Sequence, residues 1–358
     1  MPPEMMPQED SRVKSVITVC VLVATSTLLC ALPDRGQAAE AHYQLAREVS
    51  LPGDEFWDYL SFDPQSARLF VTHGSRVQVV DGATLTVVGE IPDTQGVHGV
   101  AIATDLGRGY VSAGRADTVV VFDLHTLQSV TTIKTTGANP DAILYDPFSK
   151  RVFTFNGRGR NVTAIDATRN EVIGTIPVDA KPEFAATDAA GHIFVNLEDR
   201  NSLAMLDPKA LKIAATWPLT GCEEPSGLAI DRAHGRLFSV CSNRVMDVVD
   251  AASGKVVASA PIGARVDGVA FDSTRGLAFA TGGDGTLTIV HEDSPEKFSV
   301  VQTLATRAGA RTVTVDEKTH RVFSVTAKFG PPEPATKEQP YPRPRMEPGS
   351  FELLVMSP

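Results

Sequence analysis

Short apolar stretches, separated by turns that contain Asp, Gly or Pro, recur along the chain from about residue 42 onwards. Most units read as an apolar strand that ends in Asp, a turn, and then Arg with an apolar–aromatic pair, as in YLSFDPQSARLFV and AILYDPFSKRVFT, whereas the second, fourth and sixth units lack parts of the Asp/Arg turn. The aromatic positions, spaced 40 to 44 residues apart, are Phe70, Tyr110, Phe153, Phe194, Phe238, Phe279 and Phe323. Seven units, each long enough for four short strands, predict an all-β fold: a seven-bladed β-propeller with four-stranded blades.

A second marker follows the same period. An Asp closes a β-branched strand in five successive units, at Asp81, Asp123, Asp166, Asp207 and Asp250. His291 stands at this place in the sixth unit. An Asp carboxylate at such a position accepts backbone N–H bonds of the following turn, so we expect a structural role for these residues.

The two ends of the repeat region predict how the ring closes. The seventh unit contains a Pro-rich insertion at residues 328–350, which cannot form a strand, and no fourth strand follows it. Residues 42–51 resemble a fourth strand and precede the first unit. We therefore expect one propeller domain over residues 42–358, with the ring closed by the N-terminal strand, so that two open sheet edges pair with each other.

The first 41 residues have the composition of an export signal. Arg12 and Lys14 precede an apolar stretch at residues 16–32, and Ala39-Glu40-Ala41 provides small residues at a cleavage site. This order predicts a signal peptide at residues 1–41, a periplasmic or secreted protein, and no stable membrane span after cleavage. The alternative is an uncleaved anchor, because seventeen apolar residues are near the lower limit for a span.

The charge of the chain narrows the choice of partners. The formal net charge is −10 and no long Lys/Arg cluster occurs, which argues against a nucleic-acid partner.

Cys222 and Cys241 are the two cysteines that follow the predicted signal peptide. A pair of cysteines in an exported chain predicts a disulfide.

The units resemble a known repeat. The segments CEEPSGLAIDRAHGRLFSVCSN and KFGPP…PGSFELLV make residues 42–358 similar to YncE-like bacterial proteins, which are built from YVTN-type β-propeller repeats of about 40 residues. The resemblance implies the fold and export. It implies no reaction and no catalytic residues.

Candidate chemistry lies where the inner strands begin. The position five residues before the first Asp of each unit, or the position aligned with it, should line the mouth of the central channel. These residues are Asp58, His98, Asp141, Glu183, Ser226, Asp267 and Arg311. We expect the six that are charged or can be charged to bind a ligand. Loops above them should present His73, Arg76, Arg115, Arg158, Arg160, Arg200 and Arg244.

Two interpretations of this ring remain open. The acids and arginines could pair with one another and fix the strand starts, or they could form a pocket for a cation or a polar ligand. Carboxylates with one histidine would suit a divalent cation such as Ca²⁺, Mg²⁺ or Mn²⁺.

Standard catalytic motifs such as G-x-S-x-G, H-E-x-x-H and the P-loop are absent from the sequence. We therefore expect a periplasmic, non-enzymatic binding or scaffold propeller, whose partner is a small polar ligand or another periplasmic protein. The alternative is a metal-dependent hydrolase or lactonase-like enzyme with a divalent metal at the inner acidic ring. Whether the protein is an enzyme is left open by the sequence.

Overall fold

The computed structural model describes residues 42–331, 334 and 345–358. Its strands form seven antiparallel four-stranded sheets, which are the blades of a β-propeller. This confirms the predicted all-β, seven-bladed fold. The predicted signal peptide and most of the Pro-rich insertion lie outside the described residues, and among the residues that are described no helix has the length and apolar character needed to cross a membrane.

Each blade runs outwards from the inner strand to a fourth strand at the rim. The inner strands are β2 (Trp57–Asp63), β6 (Val97–Ala103), β10 (Pro140–Asp146), β14 (Pro182–Thr187), β18 (Pro225–Asp231), β22 (Val266–Asp272) and β26 (Val313–Asp316). The second strands are β3 (Arg68–His73), β7 (Arg108–Ala113), β11 (Arg151–Asn156), β15 (Ile193–Leu197), β19 (Arg236–Cys241), β23 (Leu277–Gly282) and β27 (Arg321–Thr326).

The outer half of each blade follows the same order. The third strands are β4 (Arg76–Asp81), β8 (Thr118–Asp123), β12 (Asn161–Asp166), β16 (Ser202–Asp207), β20 (Val245–Asp250), β24 (Thr286–Ser294) and β28 (Glu352–Ser357). The rim strands are β5 (Val87–Ile91), β9 (Ser129–Lys134), β13 (Glu171–Pro177), β17 (Lys212–Pro218), β21 (Val256–Pro261), β25 (Lys297–Ala305) and, in the last blade, β1 (Gln44–Ser50). One-turn 3₁₀ helices occupy Thr104–Leu106 and Glu198–Arg200.

Aspartates at strand ends hold the turns. Oδ1 of Asp81 accepts the backbone N–H groups of Ala83 and Thr84 at 3.0 and 2.7 Å, and these bonds lower the pKa of Asp81. The same turn recurs at Asp123, Asp166, Asp207 and Asp250. The carboxylates are therefore used by the backbone and are not available for chemistry.

The core lies between neighbouring blades. The seven aromatic residues of the second strands are at most 1% exposed, and the rings of Phe70 and Phe122 from adjacent blades have centroids 5.7 Å apart. Each blade packs one face on each neighbour, so both faces of its middle strands are apolar.

The ring closes as predicted. Strand β1 pairs antiparallel with β28, from Gln44 opposite Ser357 to Ser50 opposite Glu352. The side-chain amide of Gln302 then joins this strand to the preceding blade, because it exchanges two hydrogen bonds with the backbone of Tyr43, at 2.9 and 2.7 Å. The last blade is thus completed by residues from both ends of the repeat region.

The predicted disulfide between Cys222 and Cys241 is confirmed, with the two Cα atoms 5.4 Å apart. It links the loop before β18 to the end of β19 within the fifth blade. Both cysteines are at least 98% buried.

Candidate functional site at the mouth of the central channel

The predicted ring residues occupy equivalent places. Asp58, His98, Asp141, Glu183, Ser226 and Asp267 are each the second residue of an inner strand, and Arg311 lies two residues before β26. In the first six blades the pairing register shifts at this point, with one extra residue in the inner strand. Such a bulge turns a side chain out of the regular ladder, here at the end of the ring where the inner strands begin.

Buried polar side chains of the second strands hold the backbone of the ring residues. The hydroxyl of Ser112 donates to the carbonyl oxygen of Asp141 in the next blade at 2.6 Å, and that of Thr281 donates to Arg311 at 2.8 Å. Both donors are fully buried. These bonds give the carbonyl groups of the ring residues buried hydrogen-bond donors, so the ring residues rest on a rigid support.

A continuous set of polar contacts joins five blades at the mouth. The guanidinium of Arg311 donates to Asp267 at 2.8 Å and to Asp58 at 3.3 Å. Nδ1 of His98 lies 2.6 Å from Asp58 Oδ2 and 3.4 Å from Asp141 Oδ1. The ring residues therefore do pair with one another, as one of the two interpretations expected.

The imidazole of His98 is held in its charged form. Burial opposes the charge, but the hydrogen bond to Asp58 and the charges of Asp141, Asp58 and Glu183 outweigh it and raise the pKa of His98 to about 9. The hydroxyl of Tyr59 donates to Asp141 Oδ1 at 3.1 Å, so a second donor supports this carboxylate.

The carboxyls of Asp141 and Glu183 remain incompletely compensated. Burial raises the pKa of Asp141 to about 6, although the charge of His98 acts against it. Burial and then the charge of Asp141 raise the pKa of Glu183 to about 8, even though the ammonium of Lys181 lies 2.7 Å from Glu183 and favours ionisation. The ammonium group of Lys181 is shared between two carboxylates, since it also contacts Glu198.

The ring opens into a cavity of about 1240 Å³, the top cavity, which extends from the channel mouth towards the last blade. Its carboxylates are Glu48, Asp58, Asp141, Glu183, Glu198, Asp267, Glu347 and Glu352. Its cationic side chains are Lys181, Arg265, Arg307, Arg311 and Lys328. Among the described residues, eight acids thus face five bases, so the cavity favours positive charge.

One side of the top cavity is apolar. Phe56 and Phe329 stack with ring centroids 5.9 Å apart, and Ala327 lies in the same wall. Phe329 lies at the start of the predicted insertion, and its bridge to Met346 joins the two described ends of that loop. The described ends of the insertion therefore line the top cavity.

The predicted loop residues behave differently. The arginines at positions 115, 158, 160, 200 and 244 are exposed on loops but do not line the top cavity. Arg76 lies 3.5 Å from Glu55 and 3.6 Å from Glu90, so it serves a local ion pair. His73 is fully buried, because its ring stacks on Phe351 at a centroid distance of 4.3 Å, and it is not presented to solvent.

Sequence reasoning did not identify Lys181, Tyr59, Arg265 and Arg307 as site residues. A usable signal existed for two of them: Tyr59 follows a ring residue directly, and Lys181 precedes Glu183 by two positions. The others lie in the loops between blades, where the repeat has no fixed length.

Three ring residues have donor atoms in reach of a single metal ion. One atom each of Asp58, His98 and Asp141 lies within 4.8 Å of the others. The donor set suits Mn²⁺ or, with water, a harder divalent ion. Nδ1 of His98 is the atom that contacts both carboxylates, so an ion would have to displace a proton from a group with a pKa of about 9.

Comparison with known proteins supports the fold. The chain is similar to a chain of Kuenenia stuttgartiensis hydrazine synthase, with a TM-score of 0.66 and 18% sequence identity, covering 76% of this chain and 94% of that one. It is also similar to U3-55K, with a TM-score of 0.71 and 9% identity, covering 86% and 97%. At such identities the likeness concerns the propeller fold alone. No protein-family model and no curated protein matches the chain.

Proposed function

We propose that this protein is an exported, periplasmic binding propeller that takes a small, polar, positively charged ligand in the top cavity. A rigid ring of strand starts forms the floor, and charged and aromatic side chains form the walls. A concave site of this kind fits a small molecule better than the flat surface of a folded partner.

The observation that carries the proposal is the state of Asp141 and Glu183. Both acids line the top cavity, and burial together with neighbouring carboxylates raises their pKa values to about 6 and 8, against the effect of His98 on Asp141 and of Lys181 on Glu183. A ligand cation placed between them would relieve this repulsion and lower both pKa values. Ligand binding at neutral pH would therefore release protons.

The apolar wall adds to the ligand's description. Phe56 is 40% exposed beside Phe329, so a short hydrocarbon or aromatic part of a ligand could pack there while its cationic end reaches the acids. Aromatic faces also attract cations directly. We infer a small amine with a modest apolar portion.

Calorimetry with alkyl diamines of two to six carbons tests the proposal, with the matching diols as neutral probes. We expect diamines to bind, diols not to bind, and affinity to rise from pH 6 to pH 8 as Asp141 and Glu183 lose their protons. Titrations in phosphate and in Tris at one pH should give different heats, because protons are released to the buffer.

The isosteric variant Glu183→Gln should weaken diamine binding about tenfold or more and reduce the proton release. Glu171→Gln, which neutralises an exposed carboxylate on the rim strand β13, is the matched control and should bind like the wild type. Equal binding of diols and diamines, or unchanged binding by Glu183→Gln, would overturn the proposal.

A second candidate is a metal-dependent hydrolase or lactonase-like enzyme, which the grouping of Asp58, His98 and Asp141 favours. In the same titrations, this second candidate predicts that Mn²⁺ or Ca²⁺ binds in the top cavity and competes with the diamines. Because His98 must lose a proton first, this binding would strengthen steeply towards pH 9.

A further inference from the structure

Two departures from the repeat meet on the opposite face of the ring, away from the top cavity. The first lies in the turn after the inner strand. In three blades a hydroxyl residue three positions after the Asp bonds its carboxylate: Ser66, Ser149 and Thr319. The fifth blade has His234 at the equivalent place, three positions after Asp231.

The second departure is the outer hairpin of the sixth blade. Strands β24 and β25 have nine residues each, whereas the other third and rim strands have five to seven. The added length carries the hairpin tip onto the fifth blade, where Nε of Arg236 donates to the carbonyl oxygen of Pro295 at 2.6 Å. It also places Glu292 beside the turn that contains His234.

These three side chains converge on one point. Nδ1 of His234 lies 2.7 Å from Asp231 Oδ2 and 2.9 Å from Glu292 Oε1, and the three donor atoms lie within 4.8 Å of one another. Distances this short are those of charge-assisted hydrogen bonds, so a bound ion would take the place of the proton on Nδ1.

Glu292 gives the independent indication. Its side chain is only 3% exposed, and neither carboxylate oxygen has a hydrogen-bond partner of acceptable geometry among the described residues. A buried carboxylate without such a partner is costly. Burial and the nearby charge of Asp231 raise the pKa of Glu292, although the imidazole of His234 acts against this.

The point is also accessible from solvent. The side chain of His234 is 50% exposed, and its ring borders a second cavity of about 480 Å³ between the fourth and fifth blades. An ion could therefore approach the site from the side of the imidazole.

We propose that Asp231, His234 and Glu292 form a binding site for a divalent transition-metal ion of the Zn²⁺ type, which ties the fifth blade to the sixth. One imidazole and two carboxylates are a common donor set for Zn²⁺ and related ions, whereas Ca²⁺ prefers six or more oxygen ligands. The site is separate from the top cavity, and the proposal does not depend on the function assigned there.

The proposal can be tested with tag-free protein from which a chelator has removed bound metal. The protein is incubated with ZnCl₂ and passed through a desalting column before its metal content is measured. We expect about one zinc per chain by elemental analysis, and a rise in Tm with added zinc, because an ion that binds only the folded state stabilises it. The variants Glu292→Gln and His234→Ser should each weaken zinc binding about tenfold or more and reduce the Tm shift. Ser at position 234 restores the residue that two other blades use, so this variant should fold.

His192→Gln is the matched control. His192 is a half-exposed histidine on the same second cavity and is paired with Asp188, but it is not one of the three donors. Zinc binding should survive this change. The proposal would be overturned if the wild type held no stoichiometric zinc, or if Glu292→Gln and His234→Ser bound zinc as tightly as the wild type does. Loss of zinc binding in His192→Gln would also overturn it. Zinc bound at the channel mouth would instead persist in Glu292→Gln.

Discussion

At the scale of single residues, the half-buried His98 and the buried His73 respond to pH with opposite sign. His98 has a pKa raised to about 9, so its stabilising effect is present below the unfolded value of about 6.5 and is lost as the pH rises towards 9. His73 has a pKa lowered to about 4 by burial and by the charge of Arg76. In the unfolded chain His73 takes up a proton as the pH falls below about 6.5, whereas in the folded protein it does so only near pH 4.

We therefore expect His73 to reduce stability on the acid side. Between pH 7 and pH 4 it should lower the free energy of unfolding by about 3 kcal/mol, since one pKa unit corresponds to about 1.4 kcal/mol. Neither ring nitrogen has a well-oriented partner among the described residues, so His73→Leu should fold and should lose less stability on acidification. Urea unfolding of both proteins at pH 7, 5.5 and 4.5 measures the free energy of unfolding at each pH. His125→Gln, an exposed histidine, serves as the control, and equal acid sensitivity of His73→Leu and wild type would refute the argument.

The sequence could place His98 on the ring but could not predict the burial of His73. The first follows from a position that repeats in every unit. The second depends on stacking against Phe351, which lies almost 280 positions away along the chain and belongs to the segment after the insertion. The local pattern around His73 is that of a loop tip, and it holds no information about that distant partner.

At the scale of elements, strand ends are fixed either by turns or by covalent linkage. The disulfide between Cys222 and Cys241 closes a short loop, with a sequence separation of 19, around the inner hairpin of the fifth blade. This blade supplies Ser226 to the ring, the one uncharged member. The linkage therefore supports a strand start that has no ion pair at the mouth to fix it.

We expect the double variant Cys222→Ser/Cys241→Ser to unfold more easily by about 3 kcal/mol, the value for a loop of this size in the chain-entropy model. Urea unfolding followed by tryptophan fluorescence measures the difference. Reducing agent should destabilise the wild type and leave the double variant unchanged. If reduction alters both proteins equally, the disulfide does not account for the effect.

Element lengths show where sequence analysis reached its limit. The repeat period identified all seven blades and the inner-strand starts, because each unit repeats the same local chemistry. It did not reveal that β24 and β25 extend over the neighbouring blade, since contacts between blades join residues about 60 positions apart, such as Arg236 and Pro295. The cluster around Glu292 was missed for the same reason.

At the scale of the whole molecule, closure of the ring depends on β1. The central residues of its partner β28 are fully buried, so removal of residues 42–51 would uncover the edge of an apolar strand. We expect this deletion to produce oligomers or aggregates. Size-exclusion chromatography with light scattering measures the mass. Glu48→Gln is the control, because it removes only an exposed ion pair with Arg307 and should stay like the wild type. A deletion variant that keeps the wild-type mass and Tm would contradict this account of closure.

The bulges at the start of the inner strands have a consequence for how such a protein can change over time. Each bulge frees one side chain from the pairing and packing that constrain its neighbours, while buried hydroxyl and amide groups hold its backbone whatever that side chain is. The present chain already uses acid, base, imidazole and serine at this one position. Selection, or an engineer, could therefore change the chemistry of the mouth at this position without redesigning the scaffold beneath, and ring residues that pair with one another, such as Asp58, His98 and Arg311, would have to change together.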